Sequence, residues 1–172
     1  MRKLFYILPF LLISIGSTFS SIRADFTTIL IIIEEQENDN FVMESTPFSD
    51  GIFDALWNKE WLFFDMKIDK PIKIVFDKLD AKQYLGTARD SGADSILLIK
   101  FHYTFEKQSD KKYKLNSENA TYNLYSMNSM KSLGTGTVNT TISEIFDNSE
   151  DKSRFLKKTG FNMLNEIFSN IE

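Results

Sequence analysis

The chain has 172 residues, a formal net charge of −4, 42% hydrophobic and 26% charged residues, 7 Gly and 3 Pro. This suits one globular domain and excludes disordered, collagen-like and linker-dominated chains. With no Cys there are no disulfides, thiolate metal sites, iron–sulfur clusters or cysteine nucleophiles, and the single His, His102, excludes a His-rich metal site.

Met1-Arg2-Lys3 is a short basic region, Leu4 to Ile15 is almost wholly apolar, and Gly16-Ser17-Thr18 turns small and polar. That order is how a secretory signal peptide reads. Residues 1–24 are therefore expected to be the signal, cleaved after Ala24 because Asp25 opens a new composition; Ser20 is the other candidate position. The competing reading is an uncleaved anchor, since Leu4 to Ile22 carries no charge; Pro9, Gly16 and the Ser and Thr residues argue against it. No Cys follows the apolar run, which excludes lipoprotein acylation. Removing residues 1–24 leaves 17 basic and 24 acidic side chains, a net charge of −7. A polyanion is repelled by such a chain, so no nucleic-acid partner is expected. Export, absence of Cys and abundant Ile, Lys, Asn and Phe point to a bacterial protein, periplasmic by expectation. Membrane contact is expected only through the signal segment, if it stays uncleaved.

Residues 25–172 are expected to fold as a single domain. Thr27 to Ile33 is a continuous apolar, β-branched run and reads as a strand buried on both faces. Glu34 to Asn40 reads as a solvated acidic loop; it lacks the spacing and the Gly of a calcium loop. Thr46-Pro47 opens a helix, and Phe48, Ile52, Phe53, Leu56 and Trp57 follow a helical stripe. Trp61 to Phe64 is a short strand ending at Asp65, and Ile72 to Phe76 a third. Asp80, with Gln83 at the capping-box position, starts a helix that Gly92 ends. Ile96 to Phe105 begins fully apolar and then alternates, with Lys100, His102 and Thr104 on one face and Phe101, Tyr103 and Phe105 on the other. Ser109 to Lys112 is a turn. Tyr113 to Tyr125 and Leu133 to Ile142 form a hairpin whose many Thr and Asn place one face in water; Gly134 and Gly136 mark a bulge or a close approach. Asp147 to Ser149 caps a terminal helix with the stripe Leu156, Met163, Leu164, Ile167, Phe168 and Ile171. This order predicts an α/β or α+β domain: a mixed sheet of about five to six strands with helices packed mainly on one face.

Residues 88–101, Ala-Arg-Asp-Ser-Gly-Ala-Asp followed by Ser-Ile-Leu-Leu-Ile-Lys-Phe, resemble the step from helix through Gly-Ala-Asp to apolar strand in a group of bacterial envelope domains. The group comprises the amino-terminal domain of TolB and the periplasmic domain of the curli-secretion lipoprotein CsgG. The element order over roughly 26–170 is similar to theirs, from Thr27–Ile33 through Trp61–Asp65 and the paired strands after Tyr122 to a closing amphipathic helix. The lipoprotein's Cys is missing here, and no β-propeller is expected to follow. The resemblance implies a small envelope adaptor that works by protein contact, with no catalytic residue.

The residues themselves supply little chemistry. His102 falls on the polar face of a strand, and no G-x-S-x-G context accompanies Ser95. Asp90 and Asp94 flank Gly92 as a helix end and a strand start. Gly134-Thr135-Gly136 lacks the third Gly, the helix and the later acid of a dinucleotide loop. No cofactor or metal is expected. Trp57, Trp61, Phe63 and Phe64 form an aromatic group at a helix–strand junction, of which Trp57, Trp61 and Phe63 are the candidate partner-binding residues. The expectation is a non-enzymatic envelope protein that binds another envelope protein as an adaptor or assembly factor. A carrier or sensor of a small apolar ligand, suggested by the 16 Phe, is the alternative. A hydrolase with an unrecognised site is the third reading.

Overall fold

The computed structural model describes residues 28–44, 46–108 and 112–171. The cleavage site expected after Ala24 and most of the turn at Ser109–Lys112 lie outside these residues. The described chain is built on a six-stranded mixed sheet. One strand in from the edge formed by short pieces is β1 (Thr28–Glu37), a run of β-branched and aliphatic side chains that pack on both faces. A two-residue strand β2 (Asn40–Phe41) folds back on its end. Helix α1 (Pro47–Asn58) carries the chain over one face to β3 (Leu62–Asp65), which lies parallel to the start of β1. A hairpin of two two-residue strands, β4 (Ile74–Val75) and β5 (Lys78–Leu79), follows. A 3-10 turn (Ala81–Tyr84) and helix α2 (Leu85–Ser91) then cross the opposite face to β6 (Ser95–Lys107), parallel to β1 on its other side. The meander closes with β7 (Tyr113–Ser126) and β8 (Lys131–Phe146), and α3 (Ser149–Ser169) returns over the face that carries α1.

Alternation along the strands sorts the core into two layers. Ile29, Ile31, Leu97, Ile99, Phe101, Leu124 and Val138 face α1 and α3. Leu30, Ile32, Ile96 and Leu98 face Ala81, Tyr84 and Ala88 of the 3-10 turn and α2. Both long helices thus share one face, as expected, and a short helix partly covers the other.

The two long helices meet backbone to backbone. A Cβ on Gly51 of α1 would lie 1.9 Å from the Lys157 carbonyl oxygen, and one on Gly160 of α3 would lie 2.1 Å from that of Phe48. Only glycine permits this approach, and it presses Phe48 against Phe101, their rings stacked at 4.2 Å. Gly134 also marks a close approach: a Cβ there would be 2.7 Å from Ile171.

Local signals act largely as expected. Thr46 caps α1, its Oγ1 accepting from the Ser49 N–H while Ser49 Oγ accepts from the Thr46 N–H. Gly92 ends α2 at φ 71°. Three expectations are corrected. Glu34 to Glu37 is not loop but the end of β1, with only Asn38 and Asp39 turning. Ile72 to Phe76 is not one strand: the chain reverses at Phe76-Asp77, both at positive φ (50° and 59°), in the two-residue turn whose twist suits a hairpin. Asp80 caps Lys82 N, but its own N–H donates to Lys73 O, so the helix opens as a 3-10 turn rather than through a capping box.

Candidate interaction surface

The three aromatic residues singled out from the sequence do not form one patch. Trp57 is 75% exposed on α1. Trp61 is half-buried, its ring edge-on to Phe168 of α3 at 4.5 Å, with Lys59 Nζ 5.6 Å from its centroid. Phe63 is half-buried and stacks on Phe53 of α1 at 5.2 Å. Trp61 and Phe63 therefore join β3 to the two helices, and only Trp57 stands in solvent. Leu62 and Phe64 point the other way from β3 and are exposed.

The two edges of the sheet differ. On one side β1 is lined by short pieces, four residues of β3 and two of β2. On the other, β8 runs for 16 residues, and no strand among the described residues pairs with its outer edge. It contains no Pro and only two charges, Lys131 and Glu144, although its pairing with β7 shifts register at two places. On the face away from α3, Thr121, Thr135 and Thr137 line a groove of about 200 Å³ between the sheet and the β4–β5 hairpin. Asn123 anchors that hairpin by donating from Nδ2 to Leu79 O at 2.7 Å.

The polar chemistry sits elsewhere, at the carboxyl end of β1. Here the chain has passed from one side of β1 to the other, the place where open α/β sheets usually hold ligands. Consecutive carboxylates enter the two layers. Glu34 is fully buried; its Oε1 lies 2.9 Å from Lys100 Nζ and its Oε2 accepts from Ile72 N–H at 2.6 Å. Glu35, 3% exposed, accepts from Thr46 Oγ1 at 2.5 Å and from the Tyr103 hydroxyl at 2.9 Å. Burial, the largest influence, pushes the Glu35 carboxyl above the usual range, with the two hydroxyl donors opposing. Burial likewise raises Tyr103, and the neighbouring Glu35 and Glu37 add to it. Glu37 is tied to Lys152 of α3 at 3.1 Å, whose ammonium lies 3.5 Å over the Phe105 ring. His102 Nε2 is 3.1 Å from Asp39 Oδ1 without the alignment of a hydrogen bond.

The cavity beside Glu35 measures about 40 Å³, room for a few waters. Both oxygens of Glu35 are already engaged by Thr46 and Tyr103, so the arrangement clamps the start of α1 to the sheet. Sequence reading missed this cluster. The available signal was a Glu-Glu pair straight after a seven-residue β-branched and aliphatic run, with no turn-forming residue before Asn38. Among the described residues no group of three or more acidic or His side chains is placed to hold a metal ion, and no helix is long and apolar enough to cross a membrane.

The sequence matches no family model and no curated protein. Among solved structures the chain is similar to lipoprotein GNA1162 from Neisseria meningitidis, at 16% identity and a TM-score of 0.47, over 83% of this chain and 99% of that one. It is similar to the C-terminal domain of LpoB from Salmonella enterica, at 11% identity and a TM-score of 0.40, over 68% of this chain and 84% of that one. It is also similar to TolB from Acinetobacter baumannii, at 9% identity and a TM-score of 0.40; the match covers 83% of this chain but only 27% of TolB.

Proposed function

We propose that this chain is an exported, non-enzymatic protein of the bacterial envelope that binds another envelope protein by strand addition along the outer edge of β8. The observation that carries the reading is that edge: 16 residues, without Pro and nearly without charge, on a sheet whose opposite edge is lined by short strands. An added strand would satisfy its outward N–H and C=O groups, and side-chain contacts with Leu133, Ile145 and the threonines would set register. Trp57 offers a separate aromatic anchor on the helical face. The non-enzymatic reading is supported by Glu35, the buried carboxyl with a raised pKa, whose two oxygens are spent on internal hydroxyls beside a cavity of about 40 Å³. The filled layer between sheet and long helices, with Leu97, Ile99, Leu56 and Leu164 all fully buried, speaks against an apolar-ligand carrier.

The test is site-specific photo-crosslinking in the native cells. A crosslinker at Thr137 is expected to trap one or two envelope proteins that a crosslinker at Arg154, exposed on the far side of α3, does not. Thr135→Lys with Thr137→Lys is expected to abolish the adduct while leaving the thermal transition in place, since neither side chain belongs to the core. Identical adducts from positions 137 and 154, or adducts that survive the double substitution, would overturn the strand-addition reading.

A further inference from the structure

The β4–β5 hairpin has no structural need for the residue at its tip. Phe76 is 94% exposed, and its backbone sits at φ 50°, a conformation that suits Asn or Gly and strains a bulky side chain. Its neighbours on the ascending strand, Ile74 and Val75, are 58% and 46% exposed. Three apolar side chains thus stand in water on a two-rung ladder, Val75 opposite Lys78 and Ile74 opposite Leu79. The charge around them departs from that of the whole molecule. Residues 66–82 hold five lysines, Lys67, Lys70, Lys73, Lys78 and Lys82, against three aspartates, in a chain of net charge −4. All five lysines are exposed. Asp80, one of the three acids, is already engaged with the Lys82 N–H.

From this apolar tip and its lysine collar we infer that the β4–β5 hairpin is a peripheral membrane anchor, with Phe76, Val75 and Ile74 entering the headgroup–acyl boundary of an anionic bilayer and Lys70, Lys73 and Lys78 meeting lipid phosphates. The size of the feature favours a bilayer over a protein. A stable protein interface takes roughly 800 Å² per partner with shape complementarity, which three side chains on a four-residue ladder do not provide. A lipid surface needs neither: apolar insertion and basic residues at phosphate depth add without fixed geometry. The Asn123–Leu79 hydrogen bond and buried Leu79 and Ile72 fix the hairpin to the sheet, so insertion orients the whole domain. This contact differs from the membrane contact expected of the amino-terminal segment; Ile74 and Phe76 also border the groove lined by Thr135 and Thr137, and the reporter at position 76 reads lipid contact directly.

The test places a reporter at the tip of the full-length chain. F76W protein and wild type are reconstituted with vesicles of phosphatidylcholine alone or mixed with phosphatidylglycerol, each with and without brominated acyl chains. The wild type supplies the background of Trp57 and Trp61. The readout is local, so it holds whether or not the amino-terminal segment also enters the vesicle. The introduced indole is expected to be quenched by brominated chains in the anionic vesicles and not in phosphatidylcholine alone. Lys70→Gln, Lys73→Gln and Lys78→Gln together are expected to bring quenching down to the phosphatidylcholine level, each lysine contributing about fivefold in occupancy. No quenching in anionic vesicles, or equal quenching in both lipids, would overturn the anchor. So would shielding of the introduced indole from iodide by poly-glutamate but not by vesicles, which would assign the hairpin to an acidic protein instead.

Discussion

On one face of the sheet, α1 and α3 touch through Gly51 and Gly160 and bury Phe48, Ile52, Leu56, Leu164 and Ile167 completely. On the other, the 3-10 turn and α2 cover β1, the first half of β6 and Tyr125 of β7, and among the described residues the small hairpin is what approaches the rest of β7 and β8. The first face is closed by shape, and its glycines leave no slack. The second is closed where side chains are apolar and left open where they are Thr, and the open part adjoins the free edge of β8. Stability concentrated on one face leaves the other available for contacts, because a surface built for a partner cannot also be satisfied internally.

The sharpest test of this contrast lies in the glycines. Gly160→Ala is expected to destabilise the domain by about 3 kcal/mol or more, since the added methyl meets a backbone carbonyl that cannot move without parting the helices. Gly51→Ala should do the same. Gly86→Ala in α2, where nothing lies within 4 Å of the added methyl, is expected to be neutral or to stabilise by up to about 1 kcal/mol. Urea denaturation of the three variants measures this directly. Equal values for Gly160 and Gly86 would mean that the helical face is no more tightly specified than the other.

Next in size is the clamp between α1 and the sheet. Thr46→Ala removes both the cap on the Ser49 N–H and a donor to the buried Glu35, and is expected to cost about 2 kcal/mol, more than an ordinary cap. Thr46→Ser keeps the hydroxyl and should recover most of it. A loss of only a few tenths would show that the Glu35 oxygen finds another donor.

How much of this was legible beforehand depended on whether the cause was local. β1 and β6 announced themselves by uninterrupted β-branched and aliphatic runs, α3 by its stripe, and Gly92 by its place after a helix. Glu34 and Glu35 read as solvent because their partners are remote: Thr46, Ile72 and Tyr103 are 11, 38 and 68 residues away. Nothing near a carboxylate in sequence says that a hydroxyl and a backbone N–H will reach it. Gly51 and Gly160 were legible only as glycines inside helical stripes; that each faces the other helix is a property of the packed pair. The hairpin turn hid because Phe76, a bulky residue seldom found at positive φ, holds its first place and no Gly or Asn accompanies Asp77. Of the candidate residues, Trp61 and Phe63 stood out by aromaticity, which cannot tell a ring lying on Phe168 or Phe53 from one in solvent.

A smaller effect distinguishes Glu35 by pH. Its carboxyl is raised in the folded state, so the folded protein holds that proton more tightly than the unfolded chain does. The corresponding stability is fully present below the ordinary glutamate value near 4.5 and is lost as pH rises through the raised folded value. Glu35→Gln is expected to flatten this decline while costing about 1 kcal/mol for the weakened acceptor. Thermal melts across acidic to neutral pH give both numbers. A variant whose stability falls with pH as steeply as the wild type would place the titration on another group.

The smallest expected effect on stability carries the most about function. Trp57 lies one residue beyond fully buried Leu56 on α1, yet is 75% exposed. Trp57→Ala is therefore expected to shift stability by no more than about 0.5 kcal/mol, the range of ordinary surface changes. Leu56→Ala, one position away, should cost about 2–5 kcal/mol. A large exposed indole with no stabilising role is retained for contact or for nothing, and crosslinking decides which. If a partner trapped by a crosslinker at neighbouring, exposed Asn58 is lost on Trp57→Ala while the adduct at Thr137 survives, the helical face binds separately from the β8 edge. If both adducts persist, Trp57 contributes nothing to the interface, and the open side of the sheet carries the interaction alone.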